Sequence, residues 1–193
     1  MDTKKPLINK PNCSKISKNI GVLFRARDKL QTNCLITLYN TLILPYLQYC
    51  IIVWGKTYQT AINKLLTLQK RIVRIITFSK YRANSSILFK RLNLLKVCNL
   101  YSYSCAVFMF KFRQGKLISL FDNWFICNNI NHNYNTRFGY SYKSHMSLTK
   151  QSSFNIKTQG PTIWNAIPQD IITHRSISTF KRSLRKHLLL IQE

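Results

Sequence analysis

The sequence is 193 residues long and 46% hydrophobic, which is enough to build one domain, or two small ones, around an apolar core. Lys and Arg number 30 against 5 Asp and Glu, and the formal net charge is +25. No carboxylate lies between Asp28 and Asp122, so the basic side chains of this long stretch are solvated or paired with an external polyanion. Nucleic acid is the commonest such partner, and an anionic membrane surface is the second.

Residues 1 to 11 carry charges and prolines and lack the apolar stretch of a secretory leader. They predict a disordered lead-in and an intracellular protein, nuclear or cytoplasmic, that is not secreted. The cysteines follow no CxxC or CxxH spacing, which in an intracellular protein predicts buried free thiols rather than disulfides or a zinc site. They are Cys13, Cys34, Cys50, Cys98, Cys105 and Cys127.

Helical spacing of apolar residues predicts a first helix over residues 14 to 30, with Ser14 as its N-cap. Most of its basic side chains lie off the apolar face, among them Arg25 and Lys29. The apolar face consists of Ile16, Ile20, Leu23, Phe24 and Leu30.

Residues 30 to 55 contain no charged side chain, which leaves two alternatives for this stretch. One is a single bilayer span over residues 33 to 55, and the other is a buried core helix bent at Pro45. Polar side chains along the stretch and cationic residues at both flanks favour the core helix, which Gly55 is predicted to end.

A strongly amphipathic helix is predicted over residues 59 to 78. Its apolar arc consists of Ile62, Leu65, Leu66, Ile72, Val73 and Ile76, and its basic arc of Lys64, Lys70, Arg71 and Arg74. A charged arc is commonly a solvated face. Because no carboxylate is interleaved here, phosphate contact is the alternative.

The next helix is predicted to start at a Ser85 or Ser86 cap, to break near Asn93, and to continue to Arg113, where Gly115 closes it. Residues 94 to 112 are apolar on nearly every side, which favours a central core helix over an aromatic platform for bases. Residues 12 to 116 are therefore predicted to form one helical domain.

Residues 117 to 159 are rich in Asn, Ser and Tyr and predict a loop-rich connector with a few short strands or turns. Residues 160 to 193 predict a small helical unit: a turn and a short helix around Trp164, then a helix capped by Ser178. The last helix has an apolar stripe of Phe180, Leu184, Leu188 and Ile191, and a basic one of Lys181, Arg182, Arg185 and Lys186.

No catalytic, metal or cofactor site is predicted. Two-metal nucleotidyl transfer needs converging carboxylates, and the sequence has only Asp2, Asp28, Asp122, Asp170 and Glu193. It contains no GxxxxGK[ST] or GxGxxG phosphate loop and no paired zinc ligands. A nucleophile pair of Cys127 or Cys105 with His132, His145 or His174 has no support in the local sequence.

Six segments, in this order and with these gaps, resemble the C-terminal part of a non-LTR retrotransposon (LINE, jockey-like) reverse transcriptase. They are SKISKNIGVLFRARDKL from Ser14, LYNTLILPYLQYCIIVWG from Leu38, LQKRIVRIITF from Leu68, HNYNTR from His132, GPTIWNAIP from Gly160 and FKRSLRKHLL from Phe180. The first three resemble the helical thumb, which contacts template and primer through their backbones, and the others resemble the tail that follows it. The catalytic Tyr-x-Asp-Asp motif of the family's palm is absent from the sequence.

The resemblance implies a mainly α, thumb-like bundle followed by the connector and the small C-terminal unit. With Met1 directly ahead of the thumb-like region, it implies a truncated, catalytically dead remnant of an RNA-directed DNA polymerase. Such a remnant would bind nucleic acid weakly and without sequence preference, contact other parts of the element's polymerase, or have no selected function. A single-span membrane protein and a repurposed interaction scaffold are the alternatives. The predicted nucleic-acid-binding residues are Arg25, Lys29, Lys64, Lys70, Arg71, Arg74, Lys181, Arg182, Arg185 and Lys186.

Overall fold

The computed structural model of the chain describes residues 10 to 128 and 141 to 192. Ten α-helices lie in these residues, so the predicted mainly α class is confirmed. The same residues contain 3-10 turns at Ser119–Phe121 and Ser152–Phe154 and an isolated antiparallel bridge between Cys127 and Tyr142. The helices are α1 Lys10–Ala26, α2 Thr32–Leu42, α3 Leu44–Gln48, α4 Ile51–Trp54, α5 Gln59–Ile76, α6 Ser85–Arg91, α7 Val97–Arg113, α8 Ile156–Asn165, α9 Gln169–Ile172 and α10 Ile177–Ile191.

The chain divides into two compact units. The first unit comprises Met1–Leu100 and Leu189–Glu193, and the second comprises Tyr101–Leu188. Both boundaries fall inside helices, α7 and α10, whereas the predicted divisions lie after residues 116 and 159. A boundary inside a helix has no linker composition, so the sequence pattern could not reveal it.

In the first unit, α1 starts and ends earlier than predicted, at Lys10 and Ala26. Ser14 therefore lies inside the helix and is not its N-cap. Pro11 occupies the first turn, where its missing N–H costs no hydrogen bond. Residues 1 to 9 of the predicted lead-in lie outside the described residues. Of the predicted apolar face, Ile16, Ile20 and Leu23 are buried, whereas Phe24 is 56% and Leu30 is 39% exposed.

Residues 32 to 54 form three short helices of 11, 5 and 4 residues, rather than one bent helix. One break lies just before Pro45, which cannot donate a backbone hydrogen bond, and the other at Cys50, whose φ is 49°. Gly55 ends α4 as predicted. In the part of the chain that the structure describes, no helix combines the length and apolar content that a bilayer crossing requires. The single long helix that the alternative of a bilayer span over residues 33 to 55 requires differs from the three short helices observed.

Two residues after the last residue of three helices lies a residue with positive φ: Phe78 after α5 (55°), Asn93 after α6 (53°) and Gly115 after α7 (62°). In each case the next residue donates its N–H to the carbonyl five positions earlier, at 3.0 Å, which is the Schellman motif. The predicted break near Asn93 and the predicted end at Gly115 are confirmed. The predicted continuation of α5 to Phe78 is wrong, because this phenylalanine adopts a conformation that usually requires glycine or asparagine.

The caps of α6 and α10 differ from prediction, since Ser85, Ser86 and Ser178 lie inside helices, and α8 has a cap for which no prediction was made. The residue just before each helix accepts a backbone hydrogen bond through its side chain instead. These bonds are Ser86 N–H to Asn84 Oδ1 at 3.0 Å, Lys157 N–H to Asn155 Oδ1 at 3.2 Å and Ser178 N–H to Ser176 Oγ at 3.3 Å.

The link between α6 and α7 is held from one side by Gln69 of α5, which is only 1% exposed. Its Nε2 donates to the Leu95 carbonyl at 2.8 Å and to the Tyr39 hydroxyl at 2.9 Å. Its Oε1 accepts from the Val97 N–H at 2.9 Å. This side chain lies on the apolar arc of α5 and satisfies backbone groups that no helix satisfies.

Gln192, which follows α10 and is 2% exposed, also holds the link between α6 and α7. Its Nε2 donates to the Leu94 carbonyl at 3.2 Å, and its Oε1 accepts from the Lys96 N–H at 3.1 Å and from Asn99 Nδ2 at 3.3 Å. Together the two glutamines give a side-chain partner to one backbone group of each residue from 94 to 97.

In the second unit, α7 supplies the centre of the core, as its apolar composition predicts. Its aromatic rings pack on other rings of this unit: Phe110 stacks on Phe180 at 4.2 Å between ring centroids, and Phe112 meets Phe125 edge-on at 4.9 Å. The rings thus contribute to packing and not to an exposed platform. The buried core residues are Ala106, Met109, Phe110, Phe125, Tyr142, Trp164, Ile167, Ile172, Phe180 and Leu184.

The predicted turn at Gly160 and Pro161 is wrong, because both residues lie within α8. A Cβ atom on Gly160 would lie 2.9 Å from Met109 Sδ, so the glycine permits a close approach of α8 to the core. Trp164, four residues later, is fully buried. Core packing around these residues outweighs the cost of a proline inside a helix. The segment HNYNTR from His132 lies outside the described residues.

Candidate nucleic-acid interface

Three arginines meet in one cleft of the first unit. Arg71 and Arg74 project from α5, and Arg27 follows the last residue of α1, which packs against α5. The cleft has a volume of about 470 Å³. Its lining, which we call the arginine cleft, consists of Phe24, Arg27, Thr67, Leu68, Arg71, Arg74, Ile75, Ser79 and Tyr81.

The apolar arc of α5 fixes the direction of the arginines. Ile72, Val73 and Ile76 are fully buried, so α5 cannot rotate about its axis without exposing them. Arg71 then faces solvent, and Arg74 lies half-buried with its Nε donating to the Ala83 carbonyl at 3.1 Å. This bond ties the segment after α5 to the helix.

Arg27 is positioned by the strained end of α5. Its Cζ lies 4.7 Å from the ring centroid of Phe78, a cation–π contact. Its Nε is shielded from solvent and has no hydrogen-bond partner. Arg27 is not among the predicted binding residues, because a contact between residues so far apart in the chain leaves no periodic signal in the sequence.

The electrostatics of the arginine cleft follow from its composition. Three guanidinium groups share it, and no carboxylate is among its lining residues. Like charges held together in a concave, partly apolar site create a positive potential that attracts anions. The planar guanidinium is also the side chain best suited to bidentate binding of phosphate.

The other predicted residues of this unit lie outside the arginine cleft. Lys64 is on the same side of α5, two turns before Arg71, and is exposed. Lys70 points roughly 100° around the helix from Arg71. Arg25 and Lys29 are exposed but do not line the cleft, which takes Phe24 and Arg27 from this segment instead.

The basic stripe of α10 belongs to the second unit. Arg182, Arg185 and Lys186 are exposed and Lys181 is half-buried, while the stripe's apolar counterpart is buried only at Phe180 and Leu184. No pocket that we describe includes these four basic residues. They form an open charged face.

A smaller cleft of about 350 Å³ lies in the second unit. In it the Lys157 ammonium lies 4.5 Å from the ring centroid of Trp124. Its remaining lining residues are Ile126, Lys143, Ser144, His145 and Met146. None of these seven residues was predicted to bind nucleic acid.

The chain matches no protein-family model, no curated protein and no solved structure.

The carboxylates and histidines of the described residues are dispersed. Within the part of the chain that the structure describes, no three side chains of His, Cys, Asp or Glu come together as metal ligands. Asp28, Asp122 and Asp170 are all exposed. His174, one of the histidines considered as a base, bonds through Nε2 to Ser183 Oγ at 3.0 Å.

The cysteines are free thiols, as predicted, but only Cys105 is fully buried. Cys34, Cys50 and Cys98 are exposed, so the prediction of burial is wrong for them. Burial raises the pKa of Cys105 to about 12, which keeps its thiol protonated at neutral pH. Cys105 is thus a core residue and not a nucleophile.

We expect thiol reagents to modify the exposed cysteines much faster than the buried Cys105. A pKa near 12 against the ordinary 9.0 leaves Cys105 with about a thousandfold less thiolate than an exposed cysteine. At neutral pH, iodoacetamide should therefore modify Cys34 and Cys50 while Cys105 stays unmodified, as measured by peptide mass spectrometry. Denaturant should make all three react, which controls for peptide recovery. Modification of Cys105 at the rate of Cys34 in the folded protein would contradict its burial.

Proposed function

We propose that this chain binds nucleic acid through the sugar-phosphate backbone, without sequence preference, by means of the arginine cleft. The single observation that carries the proposal is the convergence of Arg27, Arg71 and Arg74 in a cleft with no acidic lining residue. The large positive net charge supports the same choice of partner, since it favours association with any polyanion. Backbone contacts give affinity and not base readout.

The proposal includes an origin. The six sequence segments that resemble a non-LTR retrotransposon reverse transcriptase suggest a thumb-and-tail remnant that lacks a polymerase site. On this proposal the protein is not an enzyme, and its binding face is what remains of a template-primer contact. An intact or decayed palm-encoding frame directly upstream of the coding sequence would support this origin, and an unrelated upstream sequence would count against it.

The salt dependence of binding tests the proposed function. We expect the chain to bind a mixed-sequence duplex, measured by fluorescence anisotropy, with a slope of about −2.7 in log affinity against log salt, since each of three phosphate contacts contributes about −0.9. Affinity should therefore fall roughly fortyfold between 50 and 200 mM salt. Duplexes of different sequence should bind alike. No binding, or binding that salt does not weaken, would overturn the proposal.

A further inference from the structure

The arginine cleft carries exposed aromatic rings beside its charges. Tyr81 is 84% exposed and Phe24 is 56% exposed, and both line the cleft. An isolated exposed aromatic residue needs no explanation, but two that share a cleft with three arginines form a mixed apolar and cationic surface. Such a surface is complementary to a ligand that has both a flat apolar face and an anionic group.

Tyr81 is held in place by Arg74. The Arg74 Nε bond to the Ala83 carbonyl anchors the segment that carries Tyr81, and the Arg74 Cζ lies 6.0 Å from the Tyr81 ring centroid. The ring is thus adjacent to a guanidinium group and still open to solvent. A base stacked on Tyr81 would bring its own phosphate within reach of the same arginine.

A third aromatic residue, Phe78, is not a lining residue of the arginine cleft but contacts its Arg27 from a strained backbone position. Phe78 adopts φ of 55° at the end of α5, the position that Asn93 and Gly115 fill in the equivalent motifs of α6 and α7. A phenylalanine in this conformation is strained, because its Cβ crowds the following carbonyl oxygen, whereas glycine has no Cβ. The Arg27 guanidinium lies over the Phe78 ring in a cation–π contact. Strained residues of this kind cluster at ligand sites, and here the strained residue positions one of the three charges.

We propose that the arginine cleft binds an unpaired nucleotide of single-stranded RNA or DNA, with the base stacked on Tyr81 and the phosphate on Arg71 and Arg74. In a duplex the bases are stacked on one another inside the helix. Its phosphates can contact the arginines, but its bases cannot stack on the Tyr81 ring. The volume of about 470 Å³ falls within the range of small-molecule pockets, which suits one nucleotide. This inference rests on the proposed function and adds to it a preference for unpaired strands.

The test compares the full chain with Tyr81→Ala and Tyr81→Phe by fluorescence anisotropy. The probes are a labelled oligo(dT) strand and a mixed-sequence duplex of the same length. Loss of one stacked base should weaken single-strand binding by Tyr81→Ala between about fivefold and a hundredfold, while duplex binding stays within about twofold. Tyr81→Phe keeps the ring and should bind both probes like the original chain. Because Tyr81 is exposed, far-UV circular dichroism should be the same for all three proteins.

Three other outcomes have separate meanings. If the original chain binds both probes with the expected salt dependence but Tyr81→Ala weakens both alike or neither, the unpaired-nucleotide site is overturned and the proposed function stands. If the original chain binds neither probe, both proposals fail. A free nucleoside monophosphate shares the chemistry of one nucleotide of a strand. If it displaces the oligo(dT) at concentrations equal to the strand's own, the site takes free nucleotides and the strand proposal is overturned.

Discussion

Reversing the charge of Arg71 and Arg74 together is expected to lower nucleic-acid affinity by about sixtyfold near 0.1 M salt, since each of the two lost phosphate contacts is worth roughly eightfold there. The change removes two of the three guanidinium groups of the arginine cleft and puts two carboxylates in their place. The slope of log affinity against log salt should also become shallower, by the contribution of about two phosphate contacts. Single strands of all sequences should be affected alike, because the lost contacts are to phosphate.

A control variant distinguishes a loss of affinity caused by the lower net charge from one caused by the loss of charges in the arginine cleft. The variant Lys90→Glu with Arg91→Glu makes the same change in net charge at two exposed residues of α6, away from the arginine cleft. It should lower affinity by no more than about threefold, through the general field of the protein. If both double variants lose affinity equally, binding is diffuse and the cleft has no special role.

The two basic faces are separated by a third double variant. Arg182→Glu with Lys186→Glu changes the exposed stripe of α10 in the second unit. If this variant loses more affinity than Arg71→Glu with Arg74→Glu, the main nucleic-acid-binding face is on α10 and not at the arginine cleft. Far-UV circular dichroism checks that each variant keeps its helices, and self-repulsion in a chain of net charge +25 should fall in all three.

The amphipathic pattern of α5 was sufficient to predict which face of that helix is buried. Of the six residues assigned to the apolar arc, Leu66 is half-buried and the other five are buried, namely Ile62, Leu65, Ile72, Val73 and Ile76. The reason is that a helix with so sharp a division of apolar and basic residues has only one way to bury its apolar side. The same pattern could predict that Arg71 and Arg74 are on the opposite side.

The cleft itself could not be predicted in this way. It needs Arg27 from the end of α1 and Tyr81 from the segment after α5, and their positions depend on packing between elements distant in sequence. Phe78 illustrates the difficulty. Its apolar side chain fits the helical pattern, but its positive φ ends the helix and turns the ring towards Arg27. Periodicity carries no information about such an exception to backbone preference.

Buried polar side chains were the other kind of feature that pattern analysis missed. Gln69 lies on the buried side of α5, and an apolar-versus-polar reading gives no reason to expect it there. Its position makes sense only in three dimensions, where two backbone groups of the link between α6 and α7 have to be satisfied. A glutamine can donate and accept at once, which suits it to this place.

Replacing Gln69 by leucine is expected to lower the free energy of unfolding by about 3 kcal/mol. The leucine matches the apolar surroundings, but it leaves the Leu95 carbonyl and the Val97 N–H without their side-chain partner. Each buried backbone group that loses its hydrogen bond costs about 1 to 3 kcal/mol. Gln59→Leu, at an exposed position in the first turn of the same helix, is the matched control and should stay within about 0.5 kcal/mol of the original chain. Urea unfolding followed by circular dichroism measures both.

Gln192 hydrogen-bonds the same link between α6 and α7 that Gln69 does. Gln192→Ala should cost about 1 to 2 kcal/mol, less than Gln69→Leu, since the bonds of Gln192, at 3.1 to 3.3 Å, are longer than those of Gln69, at 2.8 to 2.9 Å. The two costs should not add. Once one glutamine is gone the link is free to move, and the other holds it less well, so the double variant should lose at least 0.5 kcal/mol less than the sum. Strict additivity would mean that the two glutamines act on independent parts of the structure, and a Gln69→Leu variant as stable as the original chain would contradict the buried network altogether.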